Sequence, residues 1–576
     1  MVDLIFYDFE VFKYDWLVVI GNATEKEEKI FVNDREGLYD YFTVHKNDIW
    51  IGYNSRNYDQ WVLRAVLCDI DPWRVSNWII KEGQSGSTFS TLMKRWTVYG
   101  YDVSTAFHSL KQIEGFMGED IRETSVPFDI NRPLTEEEIR ETVDYCRSDV
   151  TNTMRVFMAT KNKFDSQIAL IRTFGLDMTD ISKTQAQLAS VILGADASRQ
   201  VKGDAWDISL PDTLRLDKYR GVADWFLKDE NHDNSKTLAV TVNGIEHVFA
   251  WGGVHGAIPL NYECKNDEIM VMADVNQLYP SLMVRYDLLS RAVSEPEKFV
   301  RILDTSLRLK REKKKKEREP YKLICNIVYG AMGDRFNPMY DPRNRTLVCV
   351  YGQVLLLDLI EKIEGFTRLI QSNTDGILVL IKKEDFDKLD DAVFEWEERT
   401  GLRMTFDYYG KVIQKDVNNY VAVGVDGSVK CKGAYVKELS DIDYDLPIVN
   451  KAIREYLLNG VHPRITINGC NDLREFQKIV KVSSKYDHGV QNGKVLNGKT
   501  FRVFASVKAE DGYIGRCKGD GRGEKFANTP DRCFVHNEKV LGLNVPERLD
   551  RQWYIDLAVK RIRDFGMGID SIEQWC

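Results

Sequence analysis

The chain has 576 residues and a mass of 66.5 kDa, with 79 Lys+Arg against 88 Asp+Glu, a net charge of -9 and a pI near 5.6. A hydrophobic content of 43%, with 26 Phe, 26 Tyr and 12 Trp, excludes disorder as the main description, and the length predicts about three to five domains. The acidic balance excludes a uniformly basic coat, so any nucleic acid would have to meet local positive surfaces.

In chain order, DLIFYDFEVF and WLVVIGN read as adjacent strands joined by a polar turn, and DIWIGYNSRNYDQWVLRAVL as a strand running into a helix. LTEEEIRETVDYCRSDVTNTMRVFMATKNKF is a helix with Thr135 as N-cap and Glu138 completing a capping box. Helical material is expected to continue through KTQAQLASVILGA to about residue 230, before a hairpin turning at Asn243-Gly244. Residues 296–318 read as a charged helix stopped by Pro320, with another starting near Tyr321. FTRLIQSNTDGILVLIKK reads as a hairpin with Asp375-Gly376 at its tip, where the glycine would ease the turn. The last ~160 residues are mixed, with a loop-rich Gly/Lys/Arg segment at 485–526.

The ten cysteines form no CxxC, which fits free thiols in a reducing compartment; Cys517, Cys533 and His536 lack a clear fourth ligand for zinc. MVDLIFYDFEVFKYD does not read as a signal peptide, and no apolar run reaches the ~18–20 residues of a membrane helix. A cytoplasmic location is the expectation.

Four carboxylates stand out in the first third. Asp8 and Glu10 flank Phe9 on a strand, so period two puts both on one face; an exposed alternating strand edge gives the same pattern. Asp59 closes NSRNYD at a helix start, where a carboxylate also suits the macrodipole. Asp149 closes YCRSD, four residues after Tyr145 on one helix face, a place that a solvated acid could equally hold. Further along, MVMADVNQLYPSLMV delivers Asp274 from a strand and Tyr279 on a helix, and QSNTDGILVLI displays Asp375. Between them, YKLICNIVYGAMG lines Lys322, Asn326, Tyr329 and Gly330 along one helix side, and a plain core stripe needs neither a lysine nor an asparagine.

The order DxE, Nx3YD, Yx3D resembles the exonuclease motifs of family B DNA polymerases. DVNQLYPS, KLICNIVYG and NTDG resemble that family's three polymerase motifs, and follow in the same order. The resemblance spans about residues 8 to 435. It implies an α/β multidomain protein, with an RNase H-like exonuclease followed by a right-hand polymerase of palm, fingers and thumb. The expected division is 1–190 exonuclease, 191–290 connecting helices and first palm part, 291–335 fingers, 336–415 second palm part, and 416–576 thumb and C-terminal region.

Carried over residue by residue, the resemblance implies that Asp8, Glu10, Asp59 and Asp149 hold two divalent metals for phosphodiester hydrolysis, with Tyr145 orienting water. Asn54 and Tyr58 would hold the frayed 3′ end. Asp274 and Asp375, with Val275, would hold two metals for nucleotidyl transfer, Mg2+ with Mn2+ as a substitute. Lys322 would meet the triphosphate, Tyr279 would exclude a 2′-OH, and Asn326 and Tyr329 would line the nascent base pair. Arg311 and Lys315, taken as i and i+4 on the Lys-rich helix, are further triphosphate candidates, although such a charge run is also what a solvated face shows. Gly252 and Gly253 in AWGGVHG resemble the YxGG element near the template, and Lys432 and Tyr435 in KGAY the element that grips the primer. In 474–526, twelve Lys/Arg face six Asp/Glu with Phe501, Phe504 and Tyr513 interleaved, which reads as a duplex-contacting thumb surface.

Three departures accompany the resemblance: Asn373 replaces the family's first aspartate, Gln277 replaces Ser, and Ala250 replaces Tyr. The compact size resembles that of the protein-primed bacteriophage branch, which would put the protein in the cytoplasm of a bacterial host, and the extra N-terminal domain of larger members is expected to be missing. The spacings, 48 residues from Asp274 to Lys322 and 53 from Lys322 to Asp375, leave little room for the insertions of the protein-primed branch. The expectation is therefore a monomer that uses primed DNA and deoxynucleoside triphosphates, with no terminal protein and no membrane. Two competing readings are an exonuclease with a degenerate polymerase half and a non-catalytic DNA-binding scaffold.

Overall fold

The computed structural model describes residues 2–105, 107–519 and 523–569. It is a mixed α/β chain in two compact units. One takes the chain up to Ser182 with Leu439–Val449 and Arg464–Asp556; the other takes Lys183–Glu438, Asn450–Pro463 and the chain from Leu557. Among the described residues no helix is long and apolar enough to cross a membrane.

The first unit is built on a five-stranded sheet ordered Glu27–Val32, Trp16–Asn22, Leu4–Val11, Ile49–Gly52, Tyr99–Asp102. The first three strands are antiparallel neighbours and the last two join in parallel. Alternation along Leu4–Val11 does the sorting. Ile5, Tyr7, Phe9 and Val11 enter a core with Trp50, Val62 and Leu63. Phe6 turns to the other face and meets Phe157 of the helix Glu136–Ala159, ring centroids 5.4 Å apart. That helix starts on the expected Thr135–Glu138 capping box.

The C-terminal part of this unit forms two small sheets, one of three strands and one of four. Here the structure corrects the interleaved-aromatic reading. Phe501 and Phe504 are core residues, because the strand Thr500–Ala505 is buried along its whole length. Its Arg502 is buried too, and donates to the carbonyls of Gly115 and Glu119 at 3.2 and 2.6 Å. Tyr513 is exposed, as are Lys485, Lys494, Lys499, Lys508 and Lys518. Residues 520–522 of the segment lie outside the described residues.

The second unit holds a ten-stranded sheet in which Glu268–Val275 lies between Gly376–Lys382 and Met404–Asp416, antiparallel to both. The hairpin Thr237–Val242/Ile245–Ala250 turns at Asn243-Gly244 as expected. The expected helical continuity to residue 230 is absent: Gln185–Ile192 and Arg220–Leu227 are separate helices. Gly194, Gly203 and Pro211 interrupt the chain between them.

The Lys-rich helix also divides elsewhere than expected. Pro296–Arg311 ends in a turn whose Lys313 has φ 57°, and Lys315–Gly333 follows with Pro320 inside it. Like charges at Lys310/Lys314 and Arg311/Lys315 would face each other in an unbroken helix, so repulsion favours the break there. Arg311 and Lys315 are therefore not neighbours on one helix face.

Candidate functional site

Each unit carries one acidic cluster. In the first unit, Asp8 and Glu10 leave the same face of the central strand, and the helix Glu136–Ala159 covers that face. Cys146 of this helix donates to the Asp8 carbonyl at 3.2 Å, and its Sγ lies 3.6 Å from the Asp8 carboxylate. One turn along, Asp149 points into the same space. Asp59 enters from the start of the helix Asp59–Leu67, fixed by the Phe9 N–H at 3.1 Å. Glu10, Asp59 and Asp149 are only 7%, 3% and 7% exposed, so water does not neutralise their charge.

The electrostatic result is strained. Burial, then Asp59, Glu10 and Asp149, pushes the Asp8 carboxyl well up; burial and then Asp149 does the same to Glu10. Burial raises Asp59 to about 7. Lys111 is the cation that answers them. It bonds Asp149 and, at 3.2 Å, Glu114, and it stands 4.4 Å from the Tyr145 ring centroid. Burial raises Glu114 to about 7 as well. Burial and then Asp149 raise the Tyr145 hydroxyl.

Five carboxylates against one lysine leave a buried negative excess, which suits a donor set for hard divalent cations. Without such cations the sign of the pH effect follows. Carboxyls raised in the folded state bind protons more tightly than in the unfolded chain, so stability is greatest at low pH and falls as pH rises from about 4 towards 7. In a chelating buffer, Tm is expected to drop by at least about 3 °C between pH 5 and 7.5. Asp59→Asn should flatten that slope and excess Mg2+ should reverse it; a Tm flat with pH in chelator would contradict the assignment.

Tyr58 lines a cavity of about 530 Å3 beside Glu10, with Trp73, Phe128, Lys13 and Lys81 on its walls. Its hydroxyl meets Ser76 at 2.9 Å. Asn54 is exposed and is not on that wall; its backbone N–H donates to Asp102, which also receives the N–H groups of Arg56 and Ser104. Tyr145 lines a second cavity, of about 660 Å3, with Arg122, Glu123 and Arg140.

In the second unit, strand pairing sets Asp274 directly opposite Gly376, and the Val275 N–H donates to the Asp375 carbonyl at 2.8 Å. The turn differs from expectation. It is Asn373–Asp375, and Gly376 already belongs to the strand with no positive φ. Asn373 closes the turn, its side-chain oxygen accepting from the N–H groups of Asp375 and Gly376 at 3.1 and 2.8 Å. Glycine is required at 376 for another reason: a Cβ there would lie 2.0 Å from the Asp274 carboxylate. Gly376→Ala should therefore displace Asp274 and cut any activity that depends on it by about tenfold or more, a 1 Å misplacement being worth up to ~100-fold. Unchanged turnover in a folded variant would sink this.

Burial and then Asp375 raise the Asp274 carboxyl to about 6, opposed by Lys430 and Lys432. Asp375 is exposed. Gly253, at φ 149°, packs on Thr374 of the turn, where a Cβ would meet Oγ1 at 3.2 Å. Tyr279 and Tyr329 stand with ring centroids 4.4 Å apart. Asn326 is exposed on the helix of Lys322 and Tyr329.

Lys310 bonds Asn276; burial and then Arg318 lower its pKa, opposed by Asp407 and Asp274, with Lys322 lowering it further. Arg311 lines a cavity of about 710 Å3 with Asn276, Lys310, Arg403 and Thr405, whereas Lys315 is exposed at the start of the next helix. Gln277 receives Ser306 at 3.3 Å, and Ser306 receives Arg318 at 3.4 Å, which ties the helix of Lys310 to the strand end. Tyr435 is packed between Lys415 and Arg561, 4.8 and 4.7 Å from its ring centroid.

Sequence reasoning missed Lys111, Glu114, Asp102, Lys310 and Lys430. Three had a local signal: Ser109-Leu-Lys-Gln112 spells a capping box and so the helix start that carries Lys111 and Glu114, and Lys310 lies in the Lys-rich run.

No family model and no curated protein matches the chain. Among solved structures it is similar to the family B DNA polymerase from the hyperthermophilic archaeon Pyrobaculum calidifontis, at 14% identity with a TM-score of 0.43. That match covers 99% of this chain and 79% of the other.

Proposed function

We propose that the chain is a template-directed DNA polymerase that extends a primer 3′-OH with deoxynucleoside triphosphates, and that its first unit is a 3′–5′ proofreading exonuclease. The observation that carries the reading is the pairing of Asp274 with Gly376 beside the Asp375 turn, in the same unit as Lys310, which interacts electrostatically with Asp274, Arg318 and Lys322. Carboxylates with cations in their electrostatic range suit a group that is anionic and needs a divalent counter-charge, as a nucleoside triphosphate does.

In this reading Asp274, Asp375 and the Val275 backbone would hold divalent cations, Mg2+ with Mn2+ as substitute; Asp8, Glu10, Asp59 and Asp149 would hold the others. When bound, such cations supply positive charge against the phosphate and make attack and departure of oxygen easier. The chain's own residues do the rest. Lys310, Arg311 and Lys322 bind and orient the triphosphate, which lines up the α-phosphate for the primer hydroxyl. Tyr279 lies under the sugar, and Asn326 and Tyr329 bound the base pair by shape. Gly252 and Gly253 allow the template backbone to approach, and Lys430 and Lys432 meet the primer strand near Asp274.

In the first unit, Tyr145 and the Lys111–Asp149 pair position water, and Tyr58 with the wall of Trp73 and Phe128 takes the unpaired 3′ end. The exposed lysines from 485 to 518 supply sequence-independent phosphate contacts. Replication is the role proposed, with a cytoplasmic monomer that needs no terminal protein.

The test is extension of an oligonucleotide primer on a DNA template with Mg2+ and deoxynucleotides, with 3′ trimming measured when nucleotides are withheld. Extension and trimming are both expected. Absence of extension by folded protein would overturn the polymerase reading, and priming only from a protein hydroxyl would overturn the oligonucleotide-primed form of it.

A further inference from the structure

The buried helix Pro342–Ile363 presents Arg345, Cys349 and Gln353 at i, i+4 and i+8, one stripe along its length. Each grips a part of the proposed nucleotide pocket. The Arg345 guanidinium is 5.1 Å from the Tyr329 ring centroid. The Cys349 Sγ lies 2.8 Å from the Tyr329 hydroxyl, 3.7 Å from the Tyr279 hydroxyl and 3.7 Å from the Gly252 carbonyl. Gln353 donates to the Ala250 carbonyl at 2.9 Å. One thiol therefore joins three segments that are distant in sequence: the helix of Tyr279, the helix of Tyr329 and the turn at Gly252.

We propose that Cys349 is a positioning residue for sugar selection, acting through Tyr279. The inference rests on the polymerase reading above. A tyrosine can exclude a 2′-OH only if its ring stays at one height, because the clash that discriminates is smaller than the sweep of a free rotamer. Here the ring is restrained at both ends, by its helix and by the thiol at its hydroxyl. The two rings are tilted at 43° with centroids 4.4 Å apart, so a shift of one crowds the other. The thiol also suits a double acceptor. Sulfur is large and polarizable, so it can receive two phenols and still direct its S–H to the Gly252 carbonyl. Alanine at 349 would leave two phenol hydroxyls without this partner, and the rings would be free to tip towards the space.

The measurement is single-nucleotide primer extension with a deoxynucleotide and with the matching ribonucleotide, comparing kcat/KM for each. Cys349→Ala is expected to lower the deoxy-to-ribo ratio about three- to tenfold, the range spanned by loss of one or two hydrogen bonds. Cys349→Ser keeps a hydroxyl there and should restore the ratio to within about twofold of wild type. In a Tyr279→Ala background, Cys349→Ala should change the ratio no further. If Cys349→Ala does not fold, Cys349→Val fills the space without a strong acceptor and carries the same expectation.

An equal loss with both nucleotides, or a further loss of ratio in the Tyr279→Ala background, would overturn the inference and leave the polymerase reading standing. Failure of the wild-type protein to extend any primer would overturn the polymerase reading itself, and the inference with it.

Discussion

Asp375→Asn and Asp274→Asn are each expected to lower primer extension by at least about 100- to 1,000-fold, the loss typical of removing one preorganised electrostatic contact at a reacting centre. Trimming of a 3′ end should stay within about twofold of wild type, because Asp8, Glu10, Asp59 and Asp149 belong to the other compact unit. The two substitutions differ in a useful way. Asp375 is exposed at a turn and Asp274 is held between strands against Gly376, so Asp274→Asn also removes the charge that Lys430 and Lys432 face. Extension and trimming assays on one preparation, with a melting curve to establish folding, make the comparison. Loss of both activities in a folded Asp375→Asn protein would contradict separate sites.

The converse pair is Asp8→Ala with Glu10→Ala. Trimming should fall by about 100- to 1,000-fold while extension is kept. This variant carries a second expectation that the first pair lacks. Asp8 and Glu10 are both pushed up by burial and by one another's neighbours, so removing them relieves repulsion. In chelator at neutral pH the double variant should melt higher than wild type, and in excess Mg2+ that advantage should shrink. A variant that melts lower than wild type in chelator would contradict the reading of this cluster as a charge held for a cation.

That the six carboxylates gather in two clusters was legible because each sits in a short motif whose local structure is also local in sequence. Period two on a strand aligned Asp8 with Glu10, a helix start carried Asp59, and a four-residue helical spacing joined Tyr145 to Asp149. The roles of Lys111 and Lys430 were not legible. What makes each matter is a partner 38 or 156 positions away, which no window of local sequence contains. Gly376 shows a subtler limit. An Asp-Gly pair signals a turn, yet the turn closes on Asn373, and the glycine answers a carboxylate on the neighbouring strand. The buried Phe501 and Phe504 are the reverse case, aromatics among lysines that belong to a small core rather than to a nucleic-acid surface.

Arg502 donates to the carbonyls of Gly115 and Glu119, 387 and 383 positions away in sequence, and Ile479 crowds Gly115 so closely that a Cβ there would meet it at 2.8 Å. During synthesis at ~5–20 residues per second, helix Leu110–Met117 would wait about 20–80 s for the strand that completes it. For that interval the nascent first unit has its sheet but not its closing strand, and its apolar helix face is open to chaperones. A fragment that ends at Ser182 is expected to stay in that state. The first unit is therefore early in sequence but late to finish, and most of the second unit leaves the ribosome before the first is closed.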